Sequence, residues 1–252
     1  MMMNRFSLLA AGFTAATMAL VPAAASAEIV ELGKTPTAVS APVCPKGVAP
    51  SQCFIILTRT TAIQTVSDGI KYPITAKKSG WIVSFTVGLS KLSSSTTTER
   101  NFLHTLNAAY GGTPQLALTV LKPAKNNTYT VAAQSQTFHV TPFLGQVLQQ
   151  PMALPPTFSQ FTALPIKAGD VIALTVPTWA PVLSYNLSTS KFAYRQSRRA
   201  NCKNAAANQT AQGTVGETQQ YKCNYTGTRV EYTATEVVNT AYPKKYVHAS
   251  RR

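Results

Sequence analysis

Trp81-Ile82-Val83-Ser84-Phe85-Thr86-Val87-Gly88-Leu89 is the stretch that decides the fold class. Its odd positions, Trp81, Val83, Phe85, Val87 and Leu89, are all apolar. Successive side chains of a strand point to opposite faces, so the run predicts a β-strand with one face turned to a core. On that pattern Trp81 is a core residue. Ser79-Gly80 in front of it is a turn signal.

The same grammar extends in both directions. Upstream, Phe54 to Thr60 is β-branched and apolar, Ser67-Asp68-Gly69 is a turn, and Ile70 to Ala76 reads as an edge strand because it contains Pro73. Downstream, Leu116 to Leu121 and Thr128 to Ala133 flank a turn with Pro123 and Asn126-Asn127, which predicts a hairpin. Further strands are expected at Thr137–Val140, Phe158–Ile166, Val171–Val176, Leu183–Leu187, Phe192–Gln196 and Arg229–Val238. Lys167-Ala168-Gly169-Asp170 is the turn before Val171. One interruption breaks the series. After the polar run Ser93–Thr98, Phe102, Leu103, Leu106 and Tyr110 stand at helical spacing, so Glu99–Tyr110 predicts one or two helical turns ended by Gly111-Gly112. Ten to twelve short strands without strand–helix alternation predict an all-β antiparallel sandwich of jelly-roll type, formed as one domain over residues 44–240.

Composition narrows the chemistry. The 252 residues carry 23 Lys and Arg, 8 acids and 3 His, for a formal charge of +15. Only Asp68 and Asp170 are aspartates. So few carboxylates argue against two-metal nucleases, phosphoryl transferases and carboxylate-held cations. A hydrophobic fraction of 45% and a charged fraction of 12% exclude a disordered chain.

Met1–Arg5, the uncharged run Phe6–Val21 and the small-residue end Ala25-Ser26-Ala27 have the layout of an export signal, with cleavage after Ala27. The competing reading is an uncleaved membrane anchor. The mature chain is expected to be secreted or surface-associated, with no transmembrane span. Residues 28–43, rich in Pro, Thr and Ala, predict a flexible leader, and 241–252 a basic tail. All four cysteines follow the signal. An even count in an exported chain points to disulfides, and four cysteines permit three connectivities. Cys44–Cys53 and Cys202–Cys223 are favoured, because each pair is close in sequence and flanks turn residues. The spacing is wrong for a zinc site built from four cysteines.

Gly80 to Val176 resembles a group of secreted, mostly actinobacterial β-sandwich proteins of unknown function. The resemblance rests on Gly80-Trp81-Ile82-Val83-Ser84-Phe85-Thr86-Val87, on Leu116-Ala117-Leu118-Thr119-Val120-Leu121-Lys122-Pro123, on Thr128 to Ser135, and on Leu164-Pro165-Ile166-Lys167-Ala168-Gly169-Asp170-Val171-Ile172. It covers under half the chain and implies a sandwich, with nothing about activity. The 90–110 insertion and the Cys202–Cys223 extension depart from it.

No catalytic set stands out. Asp170 and Asp68 in their turns are weighed as a calcium ligand or general base against turn-capping carboxylates, and capping is favoured. His104, His139 and His248 are scattered, and there is no G-x-S-x-G elbow. No cofactor and no metal are expected. Two other features suggest binding. Trp179, between Pro177 and Pro181, reads as a loop aromatic that either stacks on a ligand or caps the sandwich, with Tyr185, Tyr194 and Tyr221 near it in sequence. Lys191, Arg195, Arg198, Arg199 and Lys203 form a basic cluster, with Lys191, Arg195 and Arg199 on one face of a regular strand. The expected partner is an anionic envelope polymer or polysaccharide. No signature of sequence-specific nucleic-acid reading is present. The N-x-S/T triplets at Asn126, Asn186, Asn208 and Asn224 are surface-loop markers only in a glycosylating host. The leading expectation is a non-catalytic binding module. The alternatives are a hydrolase with a dispersed site built on Asp170, His139 or Glu99, and a self-assembling surface subunit.

Overall fold

The computed structural model describes residues 27–48, 53, 55–153, 162–200, 202 and 209–238. Residues 158–161 of the expected strand Phe158–Ile166, together with Phe54, Lys203, His248, residues 1–26 of the export signal and the basic tail, lie outside them.

The chain is all-β and antiparallel, with a single α-helix among the described residues. The strands are β1 (Glu28–Leu32), β2 (Leu57–Ser67), β3 (Ile70–Lys71), β4 (Gly80–Gly88), β5 (Gln115–Ala124), β6 (Thr128–Gln134), β7 (Phe138–His139) and β8 (Val147–Pro151). They continue as β9 (Leu164–Ile166), β10 (Val171–Ala180), β11 (Leu183–Ser184), β12 (Ala193–Gln196), β13 (Thr218–Gln220), β14 (Cys223–Thr226), β15 (Arg229–Val230) and β16 (Tyr232–Val238). Sixteen strands among the described residues exceed the expected ten to twelve: β1, β8, β13 and β14 were not expected, and Arg229–Val238 divides into β15 and β16.

The smaller sheet has the order β1-β16-β4-β8, with β9 also pairing β4. The larger has the order β13-β6-β5-β10-β2-β12-β14, with β3 on β2 and β7 on β5. Ile82, Phe85, Val87 and Ala234 of the small sheet share one buried cluster with Leu118, Val120, Ile172 and Leu174 of the large one. Tyr232 ties the layers together: its hydroxyl donates to Ile172 O (3.0 Å) and accepts from Gln64 N (3.4 Å).

The face of β4 differs from the sequence expectation. Thr235 pairs with Ser84 but Glu236 pairs with Ile82, so Val83 is an extra residue, a β-bulge. A bulge shifts the alternation by one position. Ile82, Phe85 and Val87 therefore point inward, while Trp81 is half-buried and packs against the margin of the core.

The expected leader is also corrected. Glu28–Leu32 is β1, paired in register with β16 from Glu28↔Val238 to Leu32↔Ala234. The next residues lie against the sandwich: Gly33 N donates to Pro73 O (2.9 Å), and Thr37 gives its amide and hydroxyl to the two carboxylate oxygens of Asp68 (2.8 and 2.7 Å). Ser40 passes so close to β4 that a Cβ on Gly88 would sit 1.8 Å from Ser40 O, which only glycine tolerates.

The helix α1 (Thr96–Tyr110) is longer than expected, because Ser95 caps it: its hydroxyl accepts from Thr98 N (3.4 Å). Gly111 in the left-handed region ends it. Arg59 donates to Tyr110 O and Ala109 O (both 3.3 Å), placing a cation at the negative end of the helix. The expected disulfides, Cys44–Cys53 and Cys202–Cys223, are both present, and no free cysteine is found. They fit an oxidising compartment. No helix among the described residues is long and apolar enough to cross a membrane.

Candidate functional site

The region from Trp179 to Cys223 is built differently from its sequence reading. β10 does not stop at Pro177. It continues to Ala180 through a bulge between Val176 and Trp179, a place where a strand accommodates proline. Trp179 is therefore a strand residue with 0% exposure. Its indole N–H donates to Asn107 Oδ1 and Gly112 O (both 3.1 Å), which pins the end of α1. It fastens the helix to the sheet and has no surface with which to stack on a ligand, so the ligand-platform reading of Trp179 is withdrawn.

The basic cluster is dispersed in the same way. Arg198 is 1% exposed. Its Nε donates to Gln196 Oε1 (2.6 Å) and its Nη2 to Thr58 O (2.8 Å). Tyr194 is buried, accepts from Gln196 Nε2 (3.0 Å) and stacks on Tyr225, whose hydroxyl donates to Cys202 O (2.8 Å). This is an internal network joining β12 and β14 to the second disulfide. Burial pushes the Arg198 guanidinium below its usual value and the Tyr225 phenol above its own. Arg195 is half-buried, and Nη1 donates to Tyr221 O (3.0 Å) and Lys222 O (3.3 Å). Tyr185 is half-buried beside residues 40–45. Of the expected cations only Lys191 and Arg199 are exposed among the described residues. The structure thus does not gather the predicted residues on one face.

Residues 209–222 form a strap on the large sheet, a feature not anticipated from the sequence. Thr61, Thr175 and Thr119 come from β2, β10 and β5, and their hydroxyls link in series (2.9 and 2.7 Å). Gln134 of β6 continues the row with Nε2 to Thr119 Oγ1 (2.8 Å). The strap closes over it. Gln212 N donates to Thr61 Oγ1 (3.0 Å), Gln134 Nε2 to Gln212 O (2.8 Å), and Gln212 Nε2 to Glu217 O (3.0 Å). The Tyr221 hydroxyl donates to Gln212 Oε1. Burial pushes the Tyr221 phenol well above its ordinary value, so it is a permanent donor here. The threonines of this ladder read in the sequence simply as good strand formers.

Exposed cations lie beside the end of the strap, at Arg199 and Lys222, and at the β2–β3 turn. Lys191 O accepts from Gly69 N (3.0 Å), which places Lys191 at the β2–β3 turn. Lys71 and Lys222 are exposed. So are Tyr72 and Ile70. Tyr129 lies beside Tyr72 within the field of Arg195. The acids, by contrast, are mostly engaged in the fold. Asp170 accepts from Lys167 N (3.0 Å), as expected for a turn cap. Asp68 is held by Thr37; burial pushes its carboxyl up, but the Thr37 and Thr35 hydrogen bonds and the Arg229 charge outweigh that and hold it below the usual range. Glu28 pairs with Lys78 (2.6 Å), Glu31 accepts from Thr235 (2.8 Å), Glu217 from Gly213 N (2.9 Å), and Glu231 lies 3.4 Å from Arg229.

A hydrolytic constellation is not brought together. His139 Nδ1 bonds Thr113 Oγ1 (3.2 Å), Asp170 caps its own turn, and Glu99 lies in the first turn of α1. Comparison with family models, with curated proteins and with solved structures found no match.

Proposed function

We propose that this chain is an exported, non-catalytic β-sandwich module that binds an anionic surface polymer or polysaccharide through the basic surface beside the strap. The observation that carries this reading is the asymmetry of charge. Seven of the eight carboxylates accept hydrogen bonds, pair with a cation or are buried inside the fold, whereas Lys71, Lys191, Arg199 and Lys222 stand in solvent. A surface whose negative charge is used internally attracts polyanions over a range set by the Debye length. Exposed Tyr72 adds an amphipathic contact of the kind that packs on sugar rings. The export signal read in residues 1–27 would place this surface outside the cytoplasm.

The test is retention on immobilised heparin and on neutral dextran across a salt series. We expect retention on heparin alone, lost as salt rises. Lys191→Ser, Arg199→Ser and Lys222→Ser combined should flatten the salt dependence while leaving the melting temperature in place, since exposed substitutions change stability by about 0.5 kcal/mol or less. Absence of retention at low salt overturns the reading.

A further inference from the structure

The segment that follows β1 lines an open cavity of about 320 Å³ against the small sheet. Its floor is made by Thr86 of β4 and Thr233 of β16, which are paired directly across the two strands. Arg229 closes the inner end, and Pro36, Ala38 and Val39 form an apolar wall. Lys34 and Glu31 stand at the remaining sides.

The hydrogen-bonding capacity of this cavity is only partly used. Arg229 is 3% exposed, yet it is tied at two nitrogens only: Nε lies 3.4 Å from Glu231 Oε2, and Nη1 donates to Ala38 O (3.1 Å). Nη2 has no hydrogen-bond partner among the described residues. Thr233 is 7% exposed, and neither its hydroxyl nor that of Thr86 has a protein partner among the described residues. Glu31 uses Oε2 for Thr235 and leaves Oε1 open. These groups are reached from the cavity and not sealed in the interior, since the buried side-chain polar atom without a partner among the described residues is Glu236 Oε1, so the cavity presents several open polar groups on a rigid sheet to a ligand.

The charges of the wall decide the ligand class. Arg229 is answered by Glu231, and Lys34 and Glu31 line the same cavity with opposite charges. A charged ligand would meet a like charge as readily as an opposite one. A neutral polyol meets donors at Arg229 and Lys34, an acceptor at Glu31, and two hydroxyls that serve either way. The Pro36, Ala38 and Val39 wall suits the C–H face of a ring. We infer that this cavity is a binding site for one neutral sugar ring, distinct from the basic surface beside the strap.

Saturation-transfer NMR on the full chain tests it, with methyl glucoside, methyl galactoside and methyl mannoside as probes and methyl glucuronide and acetate as charged controls. At least one neutral pyranoside should bind in the millimolar range. Thr86→Val and Thr233→Val keep the shape and remove hydroxyls that the fold does not use, so both variants should melt like the parent. Each should weaken that sugar about fivefold, the worth of one hydrogen bond. The inference is overturned if no neutral pyranoside binds, if the charged controls bind in preference, or if binding is the same in Thr86→Val and Thr233→Val as in the parent. Heparin retention should be unchanged in these variants, which separates this site from the basic surface.

Discussion

Two buried polar regions of this molecule make opposite use of the interior. Under the strap, Thr61, Thr175, Thr119, Gln134, Gln212 and Tyr221 are neutral and bonded to one another in an unbroken series. At the β1 end of the small sheet, Glu236 is 1% exposed and its Oε1 has no hydrogen-bond partner among the described residues. Lys78 is committed to Glu28 instead. Burial, and secondarily the Glu28 charge, push the Glu236 carboxyl up to about 7. The lesson is that burying polar groups is inexpensive where donors and acceptors match, and conditional where a charge is left alone.

The largest effect is expected from Gln212→Leu. It removes partners from Tyr221 and the strap together, leaving a buried phenol unsatisfied. A loss of about 3 kcal/mol in urea unfolding is expected. A loss below about 1 kcal/mol would mean that the ladder contributes little and water replaces it.

Next in size is the contrast between neighbours Arg198 and Arg199. Arg198→Ser deletes a buried cation bonded to Gln196 and Thr58 and should cost about 2 kcal/mol. Arg199→Ser, at an exposed position, should stay within about 0.5 kcal/mol. Equal melting curves would return Arg198 to the surface cluster read from the sequence.

The smaller effect is a pH dependence. The folded-state value of Glu236 lies above its unfolded value of 4.5, so the folded chain holds the proton more tightly. The stability this gives is complete below pH 4.5 and is lost as pH rises towards and through about 7. The expected fall is of the order of 2 kcal/mol. Glu236→Gln should remove this slope in chemical denaturation measured between acid and neutral pH. A Gln variant with the parent's slope would assign the titration to another group, and Glu231, whose carboxyl burial also raises, is the alternative within the same measurement.

How far the site was legible follows from these cases. The Ser67-Asp68-Gly69 turn, the Asp170 cap and the helical spacing of Phe102, Leu106 and Tyr110 are local features, and each appears where the sequence places it. The basic cluster was legible as composition but not as a surface. Arg198 and Arg199 are adjacent and chemically identical, and only the packing around β12 sends one inward. Glu31, Thr86, Arg229 and Thr233 are far apart in the chain and meet only because β1, β4 and β16 share a sheet.

Period, turn chemistry and short loop closure act over a few residues, so the class of fold, the turns and the place of the helix were legible in the chain, and the cysteine pairing found is the one favoured among three. The tertiary structure alone decided which face each side chain occupies. The two tryptophans show why. The bulge at Val83 leaves Trp81 half-buried at the margin of the core, and the bulge before Trp179 carries its strand past Pro177 and buries it. A bulge shows only in the register with the partner strand, and one inserted residue inverts every side chain beyond it.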